Sequence, residues 1–377
     1  METQGVGGFR QESVVAHIET VIVSTTMPRN LRVSHGVDLS RRDHVIVRIT
    51  NAEGQRGYGE ASPLTFFTGE TAETTKHYID RYLAPLVIRQ APSRISLIHR
   101  EWERAFPGNR AAKCALDVAL HDLSARTLGL SVADLLGGSA VQAVPVYKAI
   151  GFGTEEQVVG EGESLWGLGI RSFKLKIGDH PDQDMRNLIA LRERFGDDLE
   201  IILDANGGYS AQEAVRFLRK AEPLGVSYVE QPVPAHDIEG LAFVRAHGGI
   251  PVMADESVYT LQDVYQLIRH AAIDLIGIKL IKTAGLHNAC KIAGFAQEMG
   301  VHCVVISPFD TQLGVSASAQ LASTFTSSVK SQGLGTFLVS AGADRDQLEM
   351  RSGALVVPSG LGLGVEPSSD IFETMVA

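Results

Sequence analysis

RSFKLKIG, residues 171–178, alternates Lys174 and Lys176 with Phe173, Leu175 and Ile177. Alternation at period two predicts a β-strand that sends both ammonium groups to one face and the apolar side chains to the other. An edge strand can carry lysines for solubility, but this one lies mid-chain between helical segments that end in glycine. From residue 144 onward the same kind of short apolar run recurs: VPVYKAI (144–150), SFKLKIG (172–178), EIILDAN (200–206), VSYVEQP (226–232), PVMADES (251–257), LIGIKLI (275–281), HCVVISP (302–308) and GLGTFLV (333–339). Helix start and stop signals fall between them. Ser210 with Glu213 forms a capping-box pattern, Thr260 with Asp263 resembles one, Pro181 suits a first turn, and Gly225 and Gly300 suit helix ends. Eight strand-then-helix units in about 200 residues predict a parallel β/α barrel. A doubly wound sheet is the alternative, but no G-x-G-x-x-G follows the first strand of a βαβ unit.

The strand ends carry the chemistry. Asp204, Glu230, Asp255 and Lys279 follow one another at spacings of 26, 25 and 24 residues, one β/α unit each. They therefore recur at one height on adjacent strands, at the carboxyl end where barrel active sites lie. Three converging carboxylates repel one another unless a cation lies between them. Oxygen-only donors suit a hard ion that keeps open positions, Mg²⁺ first and Mn²⁺ second. Taken singly, each acid reads as a helix cap or a loop ion pair; the phased set reads as a metal site. Lys176 and Lys279 then face each other across whatever the ion holds. A lysine titrating near about 10.4 is a poor base. Lys174 beside Lys176, together with burial and the metal charge, is expected to favour the neutral amine. The competing reading is that Lys174 and Lys176 simply pair with the acidic rim. A cation that binds a carboxylate stabilises the enediolate formed when the neighbouring carbon loses its proton, and a lysine on either face can remove or return that proton.

These residues closely resemble the enolase superfamily, in particular its muconate lactonizing enzyme subgroup. The matching features are K-x-K (Lys174, Lys176), D-A-N (Asp204, Asn206), E-Q-P (Glu230), A-D-E-S (Asp255, Glu256) and Lys279. GYGEASP (57–63) and ALDVALHDLSARTLGLSVADLLGG (115–138) look like the family's capping domain. The resemblance implies a modified TIM barrel, (β/α)₇β, with an N-terminal α+β capping domain. The expected division is 1–140 for the cap, 141–345 for the barrel and 346–377 for a return segment packing on the cap. It also implies Mg²⁺ held by Asp204, Glu230 and Asp255, with Lys176 and Lys279 as the acid/base pair and Lys174 in the substrate site. Asp310, four residues before Gly314 in SPFDTQLG, stands where the family usually has a longer acid that helps hold the substrate carboxylate.

Several chemistries share this frame: muconate cycloisomerisation, racemisation of N-acylated amino acids, dipeptide epimerisation and dehydration. GLGTFLVSAGAD (333–344) lacks the Asp-x-Asp that dipeptide epimerases of this kind usually carry on strand eight. The polar loop TTMPRNLRVSHG (25–36) offers Arg29, Arg32 and His35 to a second carboxylate, although each also reads as an ordinary solvated loop residue. The expected function is therefore a Mg²⁺-dependent isomerase acting next to a carboxylate, of the muconate cycloisomerase kind. A racemase or epimerase is second, a dehydratase is also open, and a barrel that only binds is third.

Composition sets limits on partners. The 377 residues are 44% apolar and 21% charged with a net charge of −10, which argues against nucleic acid or an anionic membrane as partner. No apolar run approaches the roughly 18 residues of a membrane span. METQGVGGFRQESVV has neither a basic nor an apolar signal region. Cys114, Cys290 and Cys303 are few and widely spaced, as in a reducing compartment, so the cytoplasm is expected. The expected partner is a small carboxylate substrate, and the expected assembly a homo-oligomer.

Overall fold

The computed structural model describes residues 13–26, 41–325, 331–335, 347–368 and 370–373. Three antiparallel strands open the chain, β1 (Val15–Thr26), β2 (Arg41–Asn51) and β3 (Arg56–Ala61), in the order β1-β2-β3. Val45, Val47 and Ile49 of β2 alternate onto one apolar core with the helix Arg110–Leu128. That helix lies directly on β3 because Gly57 and Gly59 have no side chain. A Cβ on Gly59 would stand 2.1 Å from the Ala115 carbonyl oxygen. Gly129 ends the helix in the left-handed conformation.

The helical stretch over 72–87 forms in three pieces, Ala72–Tyr78, a π-turn Ile79–Leu83 and Ala84–Val87. Pro85 falls at the start of the last piece. Its missing N–H removes one rung of the helical ladder, and the wide turn takes up the break.

Next come β4 (Ala143–Pro145) and β5 (Lys148–Ile150), followed by β6 (Ser172–Lys176), β7 (Glu200–Asp204), β8 (Val226–Glu230), β9 (Val252–Ala254), β10 (Leu275–Ile278) and β11 (His302–Val305). The parallel sheet runs in chain order from β5 to β11. Residues 331–335 join its two edges: Gln332 bridges Val146 and Gly333 bridges Ile306, both parallel. The sheet therefore closes as a barrel with an eighth segment. Tyr147, Ile202, Tyr228, Met253, Leu275, Val304 and Ile306 fill one cluster inside it. The first barrel run, expected as one strand over 144–150, is split. Its start pairs antiparallel with β13 (Ala354–Val356), which also pairs with β12 (Met350–Arg351). Pro145 offers no N–H to a continuous ladder, and past it the chain changes sheets.

The helices after β7 and β9 begin at Ser210 and Thr260 with complete capping boxes, and Pro181 opens the helix after β6. SGLGLG packs back on the N-terminal helix. Leu363 donates its N–H to Asp122 at 2.7 Å, and a Cβ on Gly362 would collide with that carboxylate.

Two buried acids of the N-terminal unit cap barrel helices. Glu60 accepts the N–H of Thr311 and of Gly314, each at 2.9 Å. Asp117 accepts the N–H of Leu286 at 2.5 Å and is held by His99 at 2.7 Å. Asp117 is fully buried, and its pKa lies well below the usual carboxylate range: burial opposes the charge, but His121 and His99 outweigh it. Asp117→Ala leaves helix-end donors and histidines unpaired in the interface. Urea unfolding is expected to show a loss of about 3–5 kcal/mol, the cost of breaking a buried pair from one side. An unchanged midpoint would contradict that assignment. Linkage adds a pH signature. Asp117 raises the pKa of His121 against the effect of burial. Its contribution is therefore complete below the ordinary histidine value near about 6.5 and fades as pH rises through the raised one.

Candidate active site

The barrel brings Lys174, Lys176, Asp204, Glu230, Asp255 and Lys279 to one end. Lys176, Asp204 and Glu230 stand in direct register across β6, β7 and β8. Asp255 and Lys279 each follow the last residue of their strand, β9 and β10. The three acids are 0% exposed. Lys174 bridges two of them, 2.9 Å from Asp204 and 3.1 Å from Glu230. Lys176 donates to Asp204 and to the Asn206 side-chain oxygen, both at 2.6 Å. Lys279 donates to Asp255 Oδ2 at 2.5 Å.

Lys176 and Lys279, with Asp204 and Asn206, line a cavity of about 110 Å³ whose other walls include Phe66, Phe67 and Phe309. In a ring of eight segments β6 and β10 lie four apart, so the two amines enter from opposite sides. Lys279 Nζ lies 4.1 Å from the centre of the Phe67 ring.

Lys174 and Lys279 are both held as ammonium groups. Burial works against their charge, but Asp204 and Glu230 hold the Lys174 ammonium well above its ordinary value. Asp255, with Glu256 and Glu230, raises the pKa of Lys279. The reason is direct pairing with the acidic rim. Asp204 and Asp255 are correspondingly held well below the carboxylate range: burial resists, but Lys174 and Lys176 act on the first and Lys279 and Lys282 on the second. Glu230 goes the other way. Burial and the neighbouring Asp204 push its pKa up to about 8 despite Lys174, with Asp255 adding to the rise.

Among the described residues, no group of three or more His, Cys, Asp or Glu side chains converges closely enough to hold a metal ion as arranged. Each carboxylate is drawn to an ammonium instead. The donor set itself fits a hard cation: all oxygen, fully buried and fed by three adjacent strands. Glu230, crowded by two other acids, has the least compensation.

Asp310 lies behind the cavity wall. Its carboxylate accepts from Ser307 Oγ at 2.7 Å, and Ser307 lines the cavity. Burial and Glu60 push the Asp310 pKa up to about 7. Arg29, Arg32 and His35 lie outside the described residues, as do residues 336–344 of the strand-eight stretch 333–344.

Lys282 escaped the sequence reading. It is fully buried and donates to Asp255 Oδ1 at 2.6 Å and to the Asp255 carbonyl. The signal was the i, i+3 spacing from Lys279, which means little until a helix is known to start there. The expected strand over 275–281 in fact stops at Ile278, and Leu280–Thr283 forms one helical turn. Glu256, quoted within A-D-E-S, had been given no role. It accepts from Asn206 Nδ2 at 2.8 Å and so completes a chain Lys176–Asn206–Glu256.

Comparison with known proteins agrees with this geometry. Residues 17–137 match the family "Mandelate racemase / muconate lactonizing enzyme, N-terminal domain", and residues 157–371 match "Enolase C-terminal domain-like". The chain is 33% identical over 358 residues to a chloromuconate cycloisomerase of Cupriavidus necator, covering 94% of this chain and 96% of that one. The structure of muconate lactonizing enzyme from Pseudomonas fluorescens complexed with muconolactone superposes with a TM-score of 0.90 at 28% identity, covering 97% and 99% of the two chains. A dipeptide epimerase from Enterococcus faecalis, complexed with Mg and the dipeptide L-Leu-L-Tyr, does so at 0.87 and 28%, covering 94% and 100%. Across its N-terminal cap and its closed parallel barrel, the chain belongs to the enolase superfamily as an isomerase of the mandelate racemase / muconate lactonizing enzyme family.

Proposed function

We propose that the protein is a divalent-cation-dependent cycloisomerase of the muconate type, moving a proton at carbon next to a carboxylate. The observation that carries this reading is the entry of Lys176 and Lys279 into one cavity from opposite sides of three buried carboxylates. Asp204, Glu230 and Asp255 would hold the ion, Mg²⁺ or Mn²⁺. Bound there, it would stabilise negative charge developing on the substrate carboxylate. Lys176 and Lys279 give and take the proton on the two faces. Asn206 orients Lys176 through its side-chain oxygen, and Phe66, Phe67 and Phe309 exclude water from the exchange. Lys174 holds two of the acids in place and lies within reach of a bound anion. Arg32 and His35 are assigned to a second substrate carboxylate, and Asp310 to Ser307 on the wall. The chloromuconate cycloisomerase relative and the muconolactone-bound neighbour support a dicarboxylate substrate.

Racemisation or epimerisation of an amino-acid derivative is the second reading. Amines on both faces are what stereochemical inversion needs, and the dipeptide epimerase neighbour supports it. One experiment separates the two. The enzyme with Mg²⁺ in deuterated water is expected to remove the diene absorbance of cis,cis-muconate or a chloromuconate. Intact muconate, together with α-deuteration and inversion of N-acyl amino acids or dipeptides by NMR, would replace the first reading by the second.

A further inference from the structure

Phe67 forms the cavity wall over Lys279, yet it belongs to the N-terminal unit, on the short turn Thr65–Thr68. A turn of four residues has little hold of its own, because a single helical turn is marginal without tertiary contacts. Its long-range hold comes from the barrel. The Tyr259 hydroxyl, on the loop after β9, donates to the Phe67 carbonyl at 2.8 Å across 192 residues of sequence. Tyr259 is itself gripped from the N-terminal unit. Arg110 Nη1 donates to the Tyr259 carbonyl and to the Lys282 carbonyl, each at 3.3 Å. The Arg110 guanidinium and the Lys282 ammonium lie 5.8 and 5.2 Å from the Tyr259 ring. The tyrosine side chain is thus set by two cations before its hydroxyl reaches the wall.

We propose that Tyr259 is a positioning residue that latches the Phe66–Phe67 wall over Lys279 and so fixes the width of the substrate cavity. It is not among the residues that line the cavity, and it acts through the backbone of Phe67. The substrate part of this inference rests on the cavity being the reaction site; the latch does not. With the hydroxyl gone, Phe67 keeps its ring but loses its hold, and the wall samples positions that admit water and bind the substrate less well. Chemistry at the amines, once the wall has closed, is little affected. The signature is a rise in KM without a matching fall in kcat.

Tyr259→Phe removes only the hydroxyl and leaves the ring between its two cations. Hydrogen–deuterium exchange of residues 65–69 is expected to accelerate about three- to tenfold, the effect of losing one such hydrogen bond. Exchange in the helix Arg110–Leu128 is expected to stay unchanged. KM for the substrate is expected to rise by a similar factor, with kcat within about twofold. Unchanged exchange in 65–69 would overturn the latch whatever the substrate proves to be. Faster exchange with an unchanged KM would overturn its role in substrate binding. If the wild type turns over no muconate, the cycloisomerase reading fails, while the exchange measurement still decides the latch.

Discussion

Lys176→Ala and Lys279→Ala are each expected to lower turnover by about 10²–10⁴-fold, the usual contribution of a positioned acid or base, without unfolding the barrel. Both amines line the cavity, and each pairs with a separate acid. Loss of either leaves one proton transfer unassisted. The pair also has a distinguishing outcome. If one lysine is the base and the other only returns the proton, α-proton exchange with solvent survives in one variant and is lost in the other. If each serves its own face, each variant keeps exchange with one enantiomer alone. Either pattern is read by NMR in deuterated water. Full activity in both variants would leave a barrel that binds without catalysing.

Chelation is expected to have the second large effect. Treatment with EDTA should reduce turnover to background, and Mg²⁺ or Mn²⁺ should restore it, since a Lewis acid at developing charge supplies several kcal/mol. Glu230→Gln is expected to uncouple stability from activity. In the absence of cation it removes the acid that Asp204 and Asp255 crowd, so the variant unfolds at a higher temperature than the wild type. On adding Mg²⁺ the wild type is stabilised by mass action and the variant is not. The check is a thermal melt of both proteins with and without Mg²⁺. Equal stabilisation of the two would exclude Glu230 as a ligand.

The barrel and its acids were legible because their signals are periodic. Period two in SFKLKIG placed two lysines on one face, and the near-constant spacing of Asp204, Glu230, Asp255 and Lys279 placed four side chains at one rim. Local chemistry was equally legible at Ser210 and Thr260, where the cap residue states its own role. What stayed hidden depends on partners far away in sequence. Nothing near Asp117 or Glu60 announces that it caps a helix about 170 or 250 residues further on, and nothing near Tyr259 points to Phe67. Two misreadings have the same local origin: Pro145 divides what looked like one strand, and the chain after Ile278 turns helical and brings Lys282 onto Asp255.

Among the described residues no helix is long and apolar enough to cross a membrane.

A crystal structure grown with Mg²⁺ and a bound dicarboxylate tests the central claim most directly. The account predicts one ion with oxygens of Asp204, Glu230 and Asp255 at about 2.0–2.1 Å, the substrate carboxylate beside it, and the amines of Lys176 and Lys279 on opposite faces of the reacting carbon. An ion held elsewhere, or either amine turned away from the ligand, would contradict it.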